Sequence, residues 1–278
     1  MEMLGAIFSK LDVRDYVIKS TKADKKNNQM NSYELPIVRV KNQGNVGSCC
    51  AHVLSSVVEY FNYVQHNIKT EMSVGYIYGN REKTIHKGKG MIIRDALKTL
   101  KEYGTVTKES FPYNVEVPEA CKKFSECANE LYEEGKVSRI SSYYRVKNEN
   151  DIKTALRLKY PVVIGIEWYS DMKVKNGVLT TKKQTYRGGH CMLLYGWNEQ
   201  GWKVLNSWGN TWGIRGTCII PYDMPIREAW AVVDNIKDGV IVKKPFSSKA
   251  GKVVAKVINV IGNTAKQLED KIYVRNTK

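Results

Sequence analysis

Gln43-Gly44-Asn45-Val46-Gly47-Ser48-Cys49 is the stretch on which the reading of this chain turns. Small residues lead up to a cysteine, and from there apolar side chains recur at Cys50, Leu54, Val57, Val58, Phe61 and Val64. Spacings of three and four mark one buried face of a helix. Cys49 therefore opens a helix, where the aligned peptide dipoles favour a thiolate. Gly47 and Ser48 let the backbone turn tightly into it. Far downstream, Gly189-His190 offers a lone imidazole. Asn206-Ser207-Trp208-Gly209, closed by Trp212-Gly213, then sets an asparagine in an aromatic, glycine-rich frame. Thiol, imidazole and carboxamide in this order are the layout of a nucleophile, its base and the base's orienter.

Working outward, a second helix fits Ile92–Tyr103 with Gly104 as its stop. An exposed helix fits 117–135 and a short one 150–159, ahead of Pro161. The character then changes. Pro161–Glu167, His190–Trp197, Trp202–Asn206, Gly216–Ile220 and Ala229–Asp234 are short apolar, β-branched runs split by glycine and asparagine turns. The fold class this predicts is α+β: a helical half, an antiparallel β-barrel-like half, and a cleft between them. Residues 1–35 are mixed and polar, an N-terminal extension or short lid, with Lys22–Asn28 reading as a loop or tether. Residues 36–239 form the main domain, 36–115 mainly helical and 116–239 mainly β. Residues 240–278 are a basic tail.

Composition bounds the alternatives. The 278 residues are 42% hydrophobic, enough for a sizeable core. Mean hydropathy is −0.41, and no apolar run approaches the ~20 residues of a membrane span. Met1–Phe8 is apolar but is soon interrupted by Lys10, Asp12, Arg14 and Asp15, so no secretory signal is read. The six cysteines are better read as thiols than as a disulfide framework, and a reducing cytoplasm is expected. Cys121 and Cys127 lack histidines at ligand spacing, so no metal site is expected. The net charge is +16. Its basic residues are scattered and lack an aromatic platform, which argues against specific nucleic-acid recognition. The tail holds nine Lys/Arg against Glu269 and Asp270, with Val253, Val257, Val260, Ile261 and Leu268 on one helical face. Such a helix suits docking on a partner or an acidic surface.

The segment Val40-Lys-Asn-Gln-Gly-x-x-Gly-Ser-Cys49-x-Ala51 resembles the nucleophile region of papain-like cysteine peptidases. Gly189-His190 and Asn206-Ser-Trp-Gly-x-x-Trp-Gly-x-x-Gly216 resemble their histidine and asparagine regions. Phe111-Pro112-Tyr113, Gly90 with Ala96-Leu97, Pro161-Val-Val and Asn176-Gly177-Val178 extend the likeness over about 36–235. The resemblance implies Cys49 as nucleophile, His190 as general acid/base, Asn206 as orienter and Gln43 as oxyanion donor. It implies a substrate groove at Gly90, Met91, Gly189 and Trp208, with Trp208 covering the His–Asn bond. The implied activity is endopeptidase hydrolysis of proteins or peptides through an acyl-enzyme, with no metal or organic cofactor. Val46 stands where the family usually has a disulfide cysteine, Cys50 where it has an aromatic, and Met91 where it has a second groove glycine. Only 48 residues precede Cys49, fewer than the long inhibitory pro-segment of secreted members, as in compact bacterial and phage relatives.

Three readings stay open at this point: a peptidase, an acyl transferase or amidase using the same thiol, and a silent scaffold. His52, three residues beyond Cys49 on the same helix, is the rival base, and its position predicts a packed face instead.

Overall fold

The structure, a computed structural model, describes residues 4–13, 15–84, 88–112, 124, 126 and 129–234. The basic tail 240–278 with its predicted helix, Cys121, Cys127 and most of the helix expected over 117–135 lie outside the described residues; Tyr132–Gly135 is helical.

Among the described residues the first half is shaped mainly by α1 (Lys22–Asn27), α2 (Cys49–His66), α3 (Val74–Gly79) and α4 (Ile93–Tyr103). α2 is the long helix that the apolar spacing predicts. Leu54, Val57, Val58 and Phe61 are buried, each stabilising the fold by about 1.5–3 kcal/mol. Val64 departs from the pattern and is exposed, because it lies in the last turn where the helix runs out past the core. α4 ends at Gly104, whose φ of 66° is the left-handed stop that glycine supplies cheaply. A further helix, Glu149–Arg157, precedes the strands.

The expectation of a loop or tether at Lys22–Asn28 is wrong. That stretch is α1, opened by a capping box in which the Thr21 side chain accepts from Asp24 N–H and Asp24 returns to Thr21. Thr-x-x-Asp is a start signal that outweighs the polar composition. Asn28 ties the helix end to Thr154 and the Asn150 carbonyl.

The strands are β1 (Ala6–Ile7), β2 (Tyr33–Glu34), β3 (Met91–Ile92), β4 (Ser142–Arg145), β5 (Val162–Tyr169), β6 (Lys173–Lys175), β7 (Val178–Thr180), β8 (Tyr186–Asn198), β9 (Gly201–Leu205), β10 (Thr217–Pro221) and β11 (Glu228–Val233). They form one sheet in the order β4-β11-β5-β8-β9-β10-β7-β6, mostly antiparallel but with a parallel pairing of β10 and β7. The 13-residue β8 is its spine, pairing with β5 and β9 along its length and with β1 and β2 at its ends. Helix α2 packs against β8. That contact sets the first residue of α2 opposite the middle of β8, which is where the chemistry lies.

Candidate active site

Cys49 is the first residue of α2 and is wholly buried. The turn before it is built by Gly44 N–H on Asn42 Oδ1 (2.9 Å) and Ser48 N–H on the Val46 carbonyl (2.8 Å). Ser48 makes no side-chain cap. Its hydroxyl lies instead 3.2 Å from His52 Nδ1, which also sits 3.0 Å from the Ser48 carbonyl. Burial lowers the pKa of His52 to about 4, so it is a neutral ring tied to its own helix turn and is not the base.

His190 lies on β8 and is completely buried. Its Nε2 donates to Asn206 Oδ1 at 2.7 Å, which leaves Nδ1 without a hydrogen-bond partner. The Cys49 thiol is close enough for the ring to pull its pKa down. Asn206 Oδ1 also accepts from Ser207 N–H at 2.8 Å, so the carboxamide is held from both sides. Trp208 stacks on the imidazole at 4.5 Å and 27°, covering the His–Asn pair as the sequence implies. Trp168 closes the other side edge-on, 5.3 Å from His190 and 4.7 Å from Trp208. Sequence reasoning missed Trp168; an aromatic at the end of an apolar strand carries no signal of its own.

Gln43 reaches the site, but its amide is partly committed: Nε2 donates to the Val46 carbonyl at 2.9 Å. Its Oε1 accepts the Ser207 hydroxyl at 2.5 Å, and its N–H donates to the Ser207 carbonyl at 2.8 Å. With Gly209 N–H on the Lys41 carbonyl (2.9 Å), these bonds clasp the segment 41–43 to 207–209. The Asn-Ser-Trp-Gly frame thus fastens the segment 41–43 as well as holding the His190 ring through Asn206. Gly216, at the end of the same frame, is required by contact, because a Cβ there would lie 2.3 Å from Val40 Cγ1.

The cleft over this site is filled by the chain's own N-terminal residues. β1 pairs parallel with β3 and antiparallel with β8 at Gly189. Met91 N–H donates to the Gly5 carbonyl at 2.8 Å. The approach is so close that a Cβ on Gly5 would meet the Gly47 oxygen at 1.9 Å. One on Gly90 would meet the Gly5 oxygen at 2.5 Å, and one on Gly189 the Ala6 oxygen at 2.2 Å. Gly90, Met91 and Gly189 therefore line a groove for an extended backbone. Met91 is buried beneath the seated strand, and its backbone N–H is what binds the Gly5 carbonyl. Beyond β1, the Ser9 hydroxyl accepts Arg94 N–H (3.0 Å) at the start of α4, and Ser9 N–H donates to Glu228 Oε1 (2.8 Å).

Under this strap the Cys49 thiol is pushed well up. Burial is the largest cause, and the His190 ring pulls the other way. Cys49 is therefore a protonated thiol while the strap is seated. Among the described residues no cluster of His, Cys, Asp or Glu is placed to hold a metal.

Known proteins resemble this chain in sequence and fold. Residues 23–229 match the model of the papain family cysteine protease domain. An uncharacterized peptidase C1-like protein of Acanthamoeba polyphaga mimivirus is 29% identical over 224 residues, covering 72% of this chain and 70% of its own length. A cathepsin L-like proteinase of Fasciola hepatica is 27% identical over 195 residues, with 65% of this chain covered and 55% of the relative. Xylellain, a cysteine protease from Xylella fastidiosa, superposes with a TM-score of 0.73 at 26% identity. That superposition spans 84% of this chain and 96% of xylellain.

Proposed function

Since the chain belongs to the papain family of cysteine proteases and is a cysteine peptidase, we propose that it acts as an endopeptidase through a thioester acyl-enzyme. The observation that carries the reading is the 2.7 Å His190–Asn206 bond. It fixes the tautomer and leaves the buried Nδ1 for the neighbouring Cys49 thiol.

Cys49 gives its proton to His190 Nδ1, and the thiolate attacks the peptide carbonyl. The developing oxyanion is met by the Cys49 backbone N–H, a first-turn donor with no partner inside its own helix, and by the Gln43 amide. His190 returns the proton to the leaving amine, and the acyl group stays on sulfur. The ring then takes a proton from water, which attacks the thioester and releases the acid and the thiol. The strap supports a peptide substrate: the groove already binds an extended backbone on both edges, through β3 and β8. A non-protein amide would use neither edge. We read residues 1–35 as a lid that must leave before substrate enters. Buried free thiols at Cys49, Cys50, Cys191 and Cys218 suit a reducing, cytoplasmic setting.

The test is digestion of an unfolded protein by the full chain and by Gly5→Val, whose side chain collides with the Gly47 carbonyl and unseats the strap. Cleavage is expected from Gly5→Val and is lost in the added Cys49→Ala or His190→Ala variant. Cleavage that survives Cys49→Ala sinks the mechanism. No cleavage from any form would favour the silent scaffold, and transfer of acyl groups to added amines without hydrolysis would favour the transferase.

A further inference from the structure

One side chain of the strap marks a pocket that the mechanism above does not use. The Phe8 ring lies over two strand glycines. A Cβ on Gly165 of β5 would come within 3.1 Å of its Cε1, and one on Gly189 of β8 within 3.1 Å of its Cζ. The Gly165 Cβ would also meet Ile93 Cδ1 at 2.7 Å. Glycine inside a strand weakens it and marks a place that another group approaches closely. Here two paired strands both give up a side chain, and the space is taken by a ring from the removable segment.

Glu228 forms a wall of this pocket. It opens β11 directly opposite Gly165, so its side chain rises on the same face of the sheet; such opposite residues lie about 5 Å apart. Glu228 is only 5% exposed. Its Oε2 accepts Trp230 Nε1–H at 2.9 Å, and its Oε1 accepts Ser9 N–H at 2.8 Å. Among the described residues no cation pairs with it. Carboxylates this deep are ordinarily paired, and one of the two donors here leaves with the strap. Arg227, the residue before it, turns elsewhere. Its guanidinium lies 5.9 Å from the Phe8 ring, more than half exposed at the rim, and reaches Glu167 at 3.4 Å.

We propose that this pocket selects a lysine or arginine of the peptide substrate, with Glu228 as the residue that decides it. The inference rests on the endopeptidase reading and names the substrate that the same site prefers. An extended peptide held by β3 and β8 sets a side chain where Phe8 now lies. Ile93 and the bare backbone at Gly165 and Gly189 suit the methylene stem of a long basic side chain. Its charged end reaches Glu228 and replaces the Ser9 N–H with a charge-assisted bond, about twice as strong as a neutral one. An aromatic side chain fills the same walls but leaves Glu228 Oε1 without a donor, which a buried acceptor tolerates poorly. An acidic one is repelled.

The test digests an unfolded protein with full-length Gly5→Val and maps the new chain ends by mass spectrometry. The expected cuts carry Lys or Arg at one fixed distance from the broken bond. On peptides differing only at that position, kcat/KM should favour arginine over phenylalanine by at least about 10-fold, and adding Glu228→Gln should reduce that ratio by about 30-fold. Cuts without a basic residue at a fixed position overturn the pocket assignment and leave the endopeptidase reading standing. No cuts at all remove that reading, and the pocket is then judged on the strap itself, which needs no turnover. In the otherwise unchanged chain, Phe8→Arg should slow iodoacetamide labelling of Cys49 by about 10-fold relative to Phe8→Met, whose stem is similar but uncharged. Adding Glu228→Gln to both should abolish the difference. Equal labelling of Phe8→Arg and Phe8→Met overturns the pocket whatever the activity, and that comparison does not depend on the folding of Glu228→Gln.

Discussion

The imidazole of His190 is held on three sides: Asn206 at its edge, Trp208 on its face and Trp168 against its rim. Orientation is the service rendered, since a misplaced catalytic group costs on the order of 10²-fold in rate. Asn206→Ala should therefore lower kcat by roughly 10²-fold with little change in KM; steady-state kinetics on Gly5→Val with and without the change would show it. An equal loss in KM would mean that the loop 206–209 had moved instead. His52 makes a separate statement about pH. Its native pKa is lowered to about 4, while the unfolded ring titrates near 6.5. Between those values the unfolded chain binds the extra proton, so stability falls as pH drops from about 6.5 to about 4. Urea unfolding at pH 7 and pH 4.5 should show a smaller drop for His52→Gln, by on the order of 1–3 kcal/mol. An equal drop would assign the acid sensitivity elsewhere.

At the scale of elements, α2 bears the nucleophile and must be fixed along its whole length. Glu59, wholly buried in its middle, receives Lys41 Nζ at 2.7 Å and Met72 N–H at 2.8 Å, with Arg39 at 3.5 Å. One carboxylate thus ties the helix to the strand-like segment that carries Gln43 and to the loop before α3. Removing it leaves the nearly buried Lys41 with only the looser Glu71 contact at 3.8 Å, so Glu59→Ala should cost about 3 kcal/mol in chemical unfolding. A loss below about 1 kcal/mol would mean that the pair is idle.

The legibility of these elements followed their periodicity. α2, α4, the helix before Pro161 and the five long strands are regular enough to stand out in the chain. The short strands β1, β2 and β3 are not, because two residues make no pattern and their pairing is set by partners far away in sequence. The candidate site residues stood out in the sequence because each sits in a frame of glycines and aromatics whose spacing is rigid. The 41–43 to 207–209 clasp was not, because Ser207 and Gln43 are 164 positions apart. α1 was readable in principle: its capping box is written in Thr21 and Asp24, and the polar run around it masked the signal.

The whole molecule poses one question, which is how firmly its first residues close the cleft. Gly5, Gly90 and Gly189 permit a backbone approach that no side chain would allow. The strap is then anchored downstream, where Asp15 pairs with Arg145 (3.1 Å) and Arg94 (3.1 Å) and Asp12 adds a looser contact to Arg94 (3.6 Å). Arg145 and Asp15 are both nearly buried, so this anchor is only weakly screened by salt. With the strap seated Cys49 is wholly buried and its pKa raised, so in the full chain the thiolate is scarce at pH 7 and alkylation should climb only in the alkaline range, above the ~8.5 of a free thiol. Unseating by Gly5→Val relieves the burial and leaves the His190 contribution, which has the opposite sign. Its iodoacetamide profile at Cys49 should therefore shift to lower pH, with fast labelling already near neutrality. Asp15→Asn leaves the glycine contacts intact and removes only the anchor, so its profile should fall between the two. If Asp15→Asn matches the parent chain, the glycine contacts alone hold the strap. If Gly5→Val matches it as well, the strap does not govern the thiol, and the raised pKa of Cys49 has its cause in the rest of the core.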